Sequence, residues 1–179
     1  MATSVQTPHP MATSVQIPHS MTTTINIEQR VERARELFMS GYNCSQAVFM
    51  ALADLYDIPE QQSARLSASF GGGVGRLREM CGACSAMVML EGLQSGATQA
   101  EDAAGKQANY KNVQALVHRF AEQNGSYLCR ELLQLRKDAP TPPTPDARTA
   151  EYYRQRPCLR MVESATRIYC ERLQGALGN

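Results

Sequence analysis

Six cysteines are the residues of this chain best suited to chemistry, and they stand at Cys44, Cys81, Cys84, Cys129, Cys158 and Cys170. As a thiolate, cysteine ligates soft metals and attacks disulfides; as a thiol, it packs as a small hydrophobe. Only Cys81 and Cys84 form a close Cys-x-x-Cys pair, a spacing that suits reversible disulfide exchange at a helix start. The other gaps are long, so any shared site must be assembled by the fold. The even count raises a disulfide framework, but 179 residues exceed the small secreted scaffolds that depend on one.

The elements that must position these thiols are helical. From Ile27 onward apolar residues return every three or four positions between Gly and Asn stops, which predicts an all-α fold, a compact bundle of about six or seven helices. The first runs from Ile27 to Ser40. Asn43 caps the second, with Gln46 completing a variant capping box, and that helix ends near Asp57. Pro59 opens a third, which reaches Phe70 before Gly71, Gly72 and Gly73 break it. Cys81 to Gln94, apolar almost all round, is the central buried helix. Ala103 to Gln123, Tyr127 to Leu135 and Pro157 to Leu173 complete the set. Residues 137–147 contain KDAPTPPTPD and read as an extended Pro-rich linker across the surface.

On this map four thiols fall in first helical turns. Cys44 follows the cap Asn43, Cys81 opens its helix, Cys129 lies three residues after the cap Ser126, and Cys158 follows Pro157. Unpaired N–H groups and the positive end of the helix dipole favour a thiolate there, so each of the four is expected to be more acidic than a free cysteine. If successive helices run up and down, Cys44, Cys81 and Cys129 share one pole, and the extended linker has the length to bring Cys158 back to it. Cys84 is near a helix start as well. Cys170 lies well inside its helix and reads as packing.

Composition bounds the function. Hydrophobic residues are 43% and charged residues 20%, which describes a globular chain rather than an acidic or low-complexity one. Eighteen basic against seventeen acidic side chains leave a net charge of +1, too little for a general attraction to nucleic acid or anionic lipid. No apolar run approaches the length of a membrane span, and the expected compartment is a reducing cytoplasm. Residues 1–25 read as a disordered tail with a ten-residue repeat, MATSVQTPHP followed by MATSVQIPHS, in which Met1, Met11 and Met21 are alternative starts. Residues 26–175 read as a single helical domain. His9 and His19 in the tail and the mid-helix His118 have no evident partners and are not assigned to the site. The GGGVGR loop lacks the Lys-Ser/Thr end of a phosphate loop; its glycines instead suit a close approach of backbone to the sulfur pole, with N–H groups donated to it and Arg76, Arg78 and Arg130 adding positive potential.

GYNCSQAV at 41–48, FGGGVGRLREMCGACSA at 70–86, FAEQNGSYLCREL at 120–132 and RPCLRMV at 156–162 resemble the redox-active family named for its C_GCAxxG_C_C pattern, over residues 28 to 172. By that resemblance Cys44, Cys81, Cys129 and Cys158 are the family's four cysteines. The resemblance implies a small helical protein with a redox role, and similar four-cysteine domains in split-Soret cytochromes imply an iron–sulfur centre. The haem motif CxxCH is absent. Two positions depart from the pattern: Ala86 replaces its last glycine, and Cys84 is inserted in its variable part.

Three functions follow as expectations. The first is an electron-transfer or redox-sensing module in which Cys44, Cys81, Cys129 and Cys158 bind an iron–sulfur cluster, with 2Fe-2S favoured. Zinc is disfavoured because its ligands usually come as close pairs. The second is a metal-free thiol–disulfide oxidoreductase with Cys81 and Cys84 as catalytic residues and Cys44 as a resolving thiol. The third is a helical interaction protein whose cysteines only pack. The expected partners are a redox protein and a second copy of the chain, with no nucleic acid.

Overall fold

The computed structural model describes residues 25–175, so the N-terminal repeat with His9 and His19 lies outside it. Among the described residues there are eight α-helices, two short 3-10 turns and no strand. These are α1 (Ile27–Met39), α2 (Cys44–Met50), α3 (Glu60–Ser67), α4 (Gly82–Ser95), α5 (Ala103–Asn124), α6 (Cys129–Leu132), α7 (Ala150–Gln155) and α8 (Cys158–Leu173). The expected all-α class is the observed one. None of these helices is long and apolar enough to cross a membrane.

Two boundaries and one added helix differ from expectation, each for a local reason. The second helix stops at Met50 rather than Asp57, because the chain tightens into a 3-10 turn at Ala53–Tyr56 and Asp57 takes a left-handed φ of 55°. The sixth shrinks to Cys129–Leu132, and Gln134 is left-handed just beyond it. The additional helix α7 opens beside the Pro-rich linker, where the Thr149 hydroxyl accepts a hydrogen bond from Tyr152 N. At six residues it is too short to show a periodicity in the sequence.

The asparagine cap of α2 forms as read. Asn43 Oδ1 accepts from the backbone N–H groups of Ser45 and Gln46, and the Gln46 side chain accepts from Asn43 N. Its amide also donates to Ala68 O at 2.8 Å, which fixes the start of α2 against the end of α3.

Helix α4 occupies the centre. Ala83, Cys84, Ala86, Met87 and Leu90 are buried on it, against Val48 and Leu52, Leu116 and Phe120 from α5, and Ile168 from α8. Cys170 is fully buried in the same core, consistent with packing. A carboxylate interrupts this apolar centre. Glu91 is buried, and its Oε1 accepts from Asn112 at 3.0 Å, Arg172 at 3.1 Å and Ser95 at 2.7 Å. This tie joins α4, α5 and α8 where burial of an unpaired carboxylate would be costly. Beside it the Tyr56 and Tyr169 hydroxyls share a hydrogen bond of 2.5 Å.

Candidate functional site

Cys44, Cys81, Cys129 and Cys158 line one cavity of about 270 Å³, although they are separated in sequence by tens of residues. Each arrives by its own local device. The Asn43 cap sets Cys44 at the first position of α2. Cys81 is the residue preceding α4, and an isolated antiparallel bridge between Met80 and Leu128 sets it beside Cys129. Cys81 N donates to Tyr127 O at 2.8 Å and Cys129 N to Glu79 O at 2.7 Å, so these two thiols share one backbone frame. Pro157 precedes Cys158 and starts α8.

Glycines allow the close approach. A Cβ on Gly82 would stand 2.7 Å from Cys44 Sγ, and one on Gly73 would stand 2.6 Å from Cys129 Cβ. The loop that carries Gly73 is unusual throughout. Gly72, Gly73, Val74, Gly75, Arg76 and Arg78 all have positive φ, between 55° and 72°. For the β-branched Val74 this is a real strain. Hydrogen bonds inside the loop hold it, among them Gly75 N to Ser69 O at 2.7 Å and Glu79 N to Gly73 O at 3.1 Å. The backbone N–H groups of residues 74–79, Gly75 among them, are therefore used within the loop rather than donated to sulfur.

The loop's winding instead delivers arginines. Arg76 and Arg78 line the cavity; Arg130, grouped with them on sequence, instead donates to the carbonyls of Arg136 and Lys137. Two further cavity arginines, Arg148 and Arg156, were not singled out by sequence. Their only signal is proximity to Cys158 and the Pro-rich segment. That segment is not a bare linker: Pro143, Pro145 and Asp146 cover the cavity as a strap. Arg76 Nη1 donates to Asp146 Oδ2 at 2.8 Å and Arg76 Nε to Pro142 O at 2.8 Å, while Arg156 reaches the same carboxylate at 3.0 Å. Hydrogen bonding from Arg76 holds the Asp146 carboxyl below its ordinary value. Arg148 lies over the Phe38 and Tyr152 rings at 4.8 and 4.7 Å and donates to Tyr42 O.

Cys84 is placed elsewhere. It is fully buried in the first turn of α4 and does not line the cavity, so the structure gathers four thiols and leaves out both Cys84 and Cys170. All six are free thiols. Among the described residues no group of three or more His, Cys, Asp or Glu side chains is arranged to hold a metal ion.

The expected acidity is overturned by burial at Cys81, Cys129 and Cys158. Desolvation raises Cys81 well above its ordinary value, with Cys44 adding to the rise and the backbone N–H groups of Cys84 and Ala83 opposing it. Cys129 is raised by burial and by Cys44, against the Arg78 guanidinium beside it. Burial pushes Cys158 up to about 12, with Cys44 and Cys129 contributing in the same direction. The dipole argument fails at these three thiols because desolvation outweighs the helix start, even at α4 and α8 with fourteen and sixteen residues.

Cys84 gives this a measurable form, since burial alone lifts it to about 12. In the unfolded chain this thiol loses its proton above its ordinary value of 9.0, whereas the folded protein retains it. The stability it contributes is complete below pH 9 and is lost as pH rises toward 12. Urea midpoints should therefore fall above pH 9 with a share from Cys84 of about 1.4 kcal/mol per pH unit, and Cys84→Ala should flatten that slope. An unchanged slope in the variant would refute the assignment.

No curated protein and no solved structure matched the chain in comparison. Residues 42–172 match the family described as "Putative redox-active protein (C_GCAxxG_C_C)". The match takes in all four cysteines of the cavity and covers well over half of the sequence, and the chain belongs to the C_GCAxxG_C_C family.

Proposed function

We propose that the cavity is a redox centre in which Cys44, Cys81, Cys129 and Cys158 bind an iron–sulfur cluster. The observation that carries this reading is the convergence of four thiols from four separate helix starts on one cavity, with the two remaining cysteines kept out of it. The donor set suits the group: four sulfur ligands and no histidine in the lining, with guanidinium groups available to offset anionic thiolates. The four side chains must turn inward and release their protons to serve as ligands. Once bound, the cluster supplies one-electron chemistry. The protein supplies the sulfur ligands, the positive surroundings and the strap of residues 140–146 that limits water. Six free thiols suit a reducing cytoplasm, and the electrons pass to or from a redox partner protein.

A second reading is favoured by the proximity of Cys44 to Cys81, whose following residue Gly82 abuts the Cys44 sulfur. Metal-free exchange would use these two cavity thiols rather than Cys81 and Cys84. Both thiols would lose a proton and an electron to form a disulfide, and a partner disulfide would take up both and become two thiols.

Metal and sulfide analysis of protein purified without air, with its visible spectrum, separates the readings. Iron with acid-labile sulfide and visible absorption is the expected result. A colourless, metal-free protein that cycles a Cys44–Cys81 disulfide overturns the cluster and supports exchange.

A further inference from the structure

The cavity holds more positive charge than its own side chains balance. Arg76, Arg78, Arg148 and Arg156 line it against a single carboxylate, Asp146, which is an excess of three positive charges when the thiols carry their protons. The ion pairs of Asp146 go to Arg76 and Arg156. They leave the other two without a carboxylate, although Arg148 Nη2 donates to Tyr42 O. Among the described residues, Arg78 Nε and Arg148 Nη1 are buried donors with no hydrogen-bond acceptor. Arg78 is 6% exposed, so its guanidinium has little water to turn to. Burying a charged donor without an acceptor is expensive, and the loop that does it is strained as well.

We infer that the cavity binds a small inorganic oxyanion, held by Arg78 and Arg148 beside the thiols of Cys129 and Cys158. An oxyanion supplies what the two guanidinium groups lack, several acceptor oxygens and negative charge at one point. The cavity of about 270 Å³ has room for a small inorganic oxyanion. Binding makes and breaks no covalent bond. The inference rests on the four-cysteine cavity being the functional site, but not on its filling by iron.

The test uses the reduced, metal-free full chain with sulfate as the probe and chloride at matched ionic strength as the reference. Alkylation of Cys44, Cys129 and Cys158 by iodoacetamide is followed by mass spectrometry. Sulfate is expected to slow alkylation saturably, and Arg78→Gln to weaken that protection about tenfold, the effect of losing one charge-assisted hydrogen bond. The exposed Arg65→Gln should behave as the native chain does. If Arg78→Gln does not fold, Arg148→Gln replaces it, and the native chain decides on its own. No saturable protection in the native chain, or the same protection in the arginine variants, overturns the inference. Iron and sulfide analysis reads the other reading separately: a loaded protein that ignores sulfate loses the anion site alone, and a sulfate-protected protein that takes up no iron loses the cluster alone.

Discussion

Cys44→Ser is expected to abolish iron and sulfide retention, with loss of the visible absorption, while leaving the helical fold in place. Cys44 is the central thiol of the four, because a thiolate there would oppose the ionisation of Cys81, Cys129 and Cys158 alike. It also sits where the chain has no alternative donor, against Gly82, which has no side chain to replace it. Serine keeps the size of the residue, and the cap of α2 is made by Asn43 and Gln46, so folding does not depend on the sulfur. Losing an outer partner of a ligand already costs about 10- to 100-fold in metal affinity, and losing the ligand itself should cost more. Cys84→Ala and Cys170→Ala should retain the iron, because neither residue lines the cavity. Full iron in Cys44→Ser, or its loss in Cys84→Ala from a folded protein, would remove the assignment of ligands.

Gly73→Ala should be the most damaging single methyl in the loop. Its φ of +72° disfavours any side chain, and the added Cβ would meet Cys129 Cβ at 2.6 Å and Glu79 N and O at 2.8 and 2.9 Å. Two of those atoms are backbone and none is the end of a flexible side chain, so the neighbours cannot swing away. The left-handed conformation and the overpacking together cost about 3 kcal/mol, which lowers Tm by about 10 °C for a domain of this size. Gly75→Ala is the control. It shares the left-handed conformation at +55°, but nothing lies within 4 Å of its Cβ, so only the backbone cost of about 1 kcal/mol applies. Equal midpoints for the two variants would show that the contact between the loop and Cys129 is not what constrains Gly73.

How far the sequence could be read differs between parts of the molecule. Asn43 and Gln46 announce α2 because a capping box is satisfied by residues three apart, and the observed cap uses those groups. Helix α7 and the end of α2 were missed because a six-residue helix and a 3-10 turn leave no periodic pattern. Arg148 and Arg156 escaped notice for a different reason. An arginine has no local signature that distinguishes a solvated surface from a cavity wall, and here the aromatic rings of Phe38 and Tyr152 and the carboxylate of Asp146 make the difference. Read as a linker, the Pro-rich segment was described by composition alone; its position over the cavity comes from ion pairs with Arg76, seventy residues earlier in the chain.

By itself the sequence determined the all-α class, the placement of four cysteines near helix starts and the packing role of Cys170, because periodicity, caps and breakers act within a few residues. Only the tertiary structure decided that these four thiols share one cavity, that Cys84 lies outside it, and that Cys81, Cys129 and Cys158 are harder to ionise than free cysteine. The last point inverts the local argument. A helix start favours a thiolate through nearby N–H groups, but the removal of water is imposed by the whole fold, and at Cys81, Cys129 and Cys158 that desolvation is the larger effect.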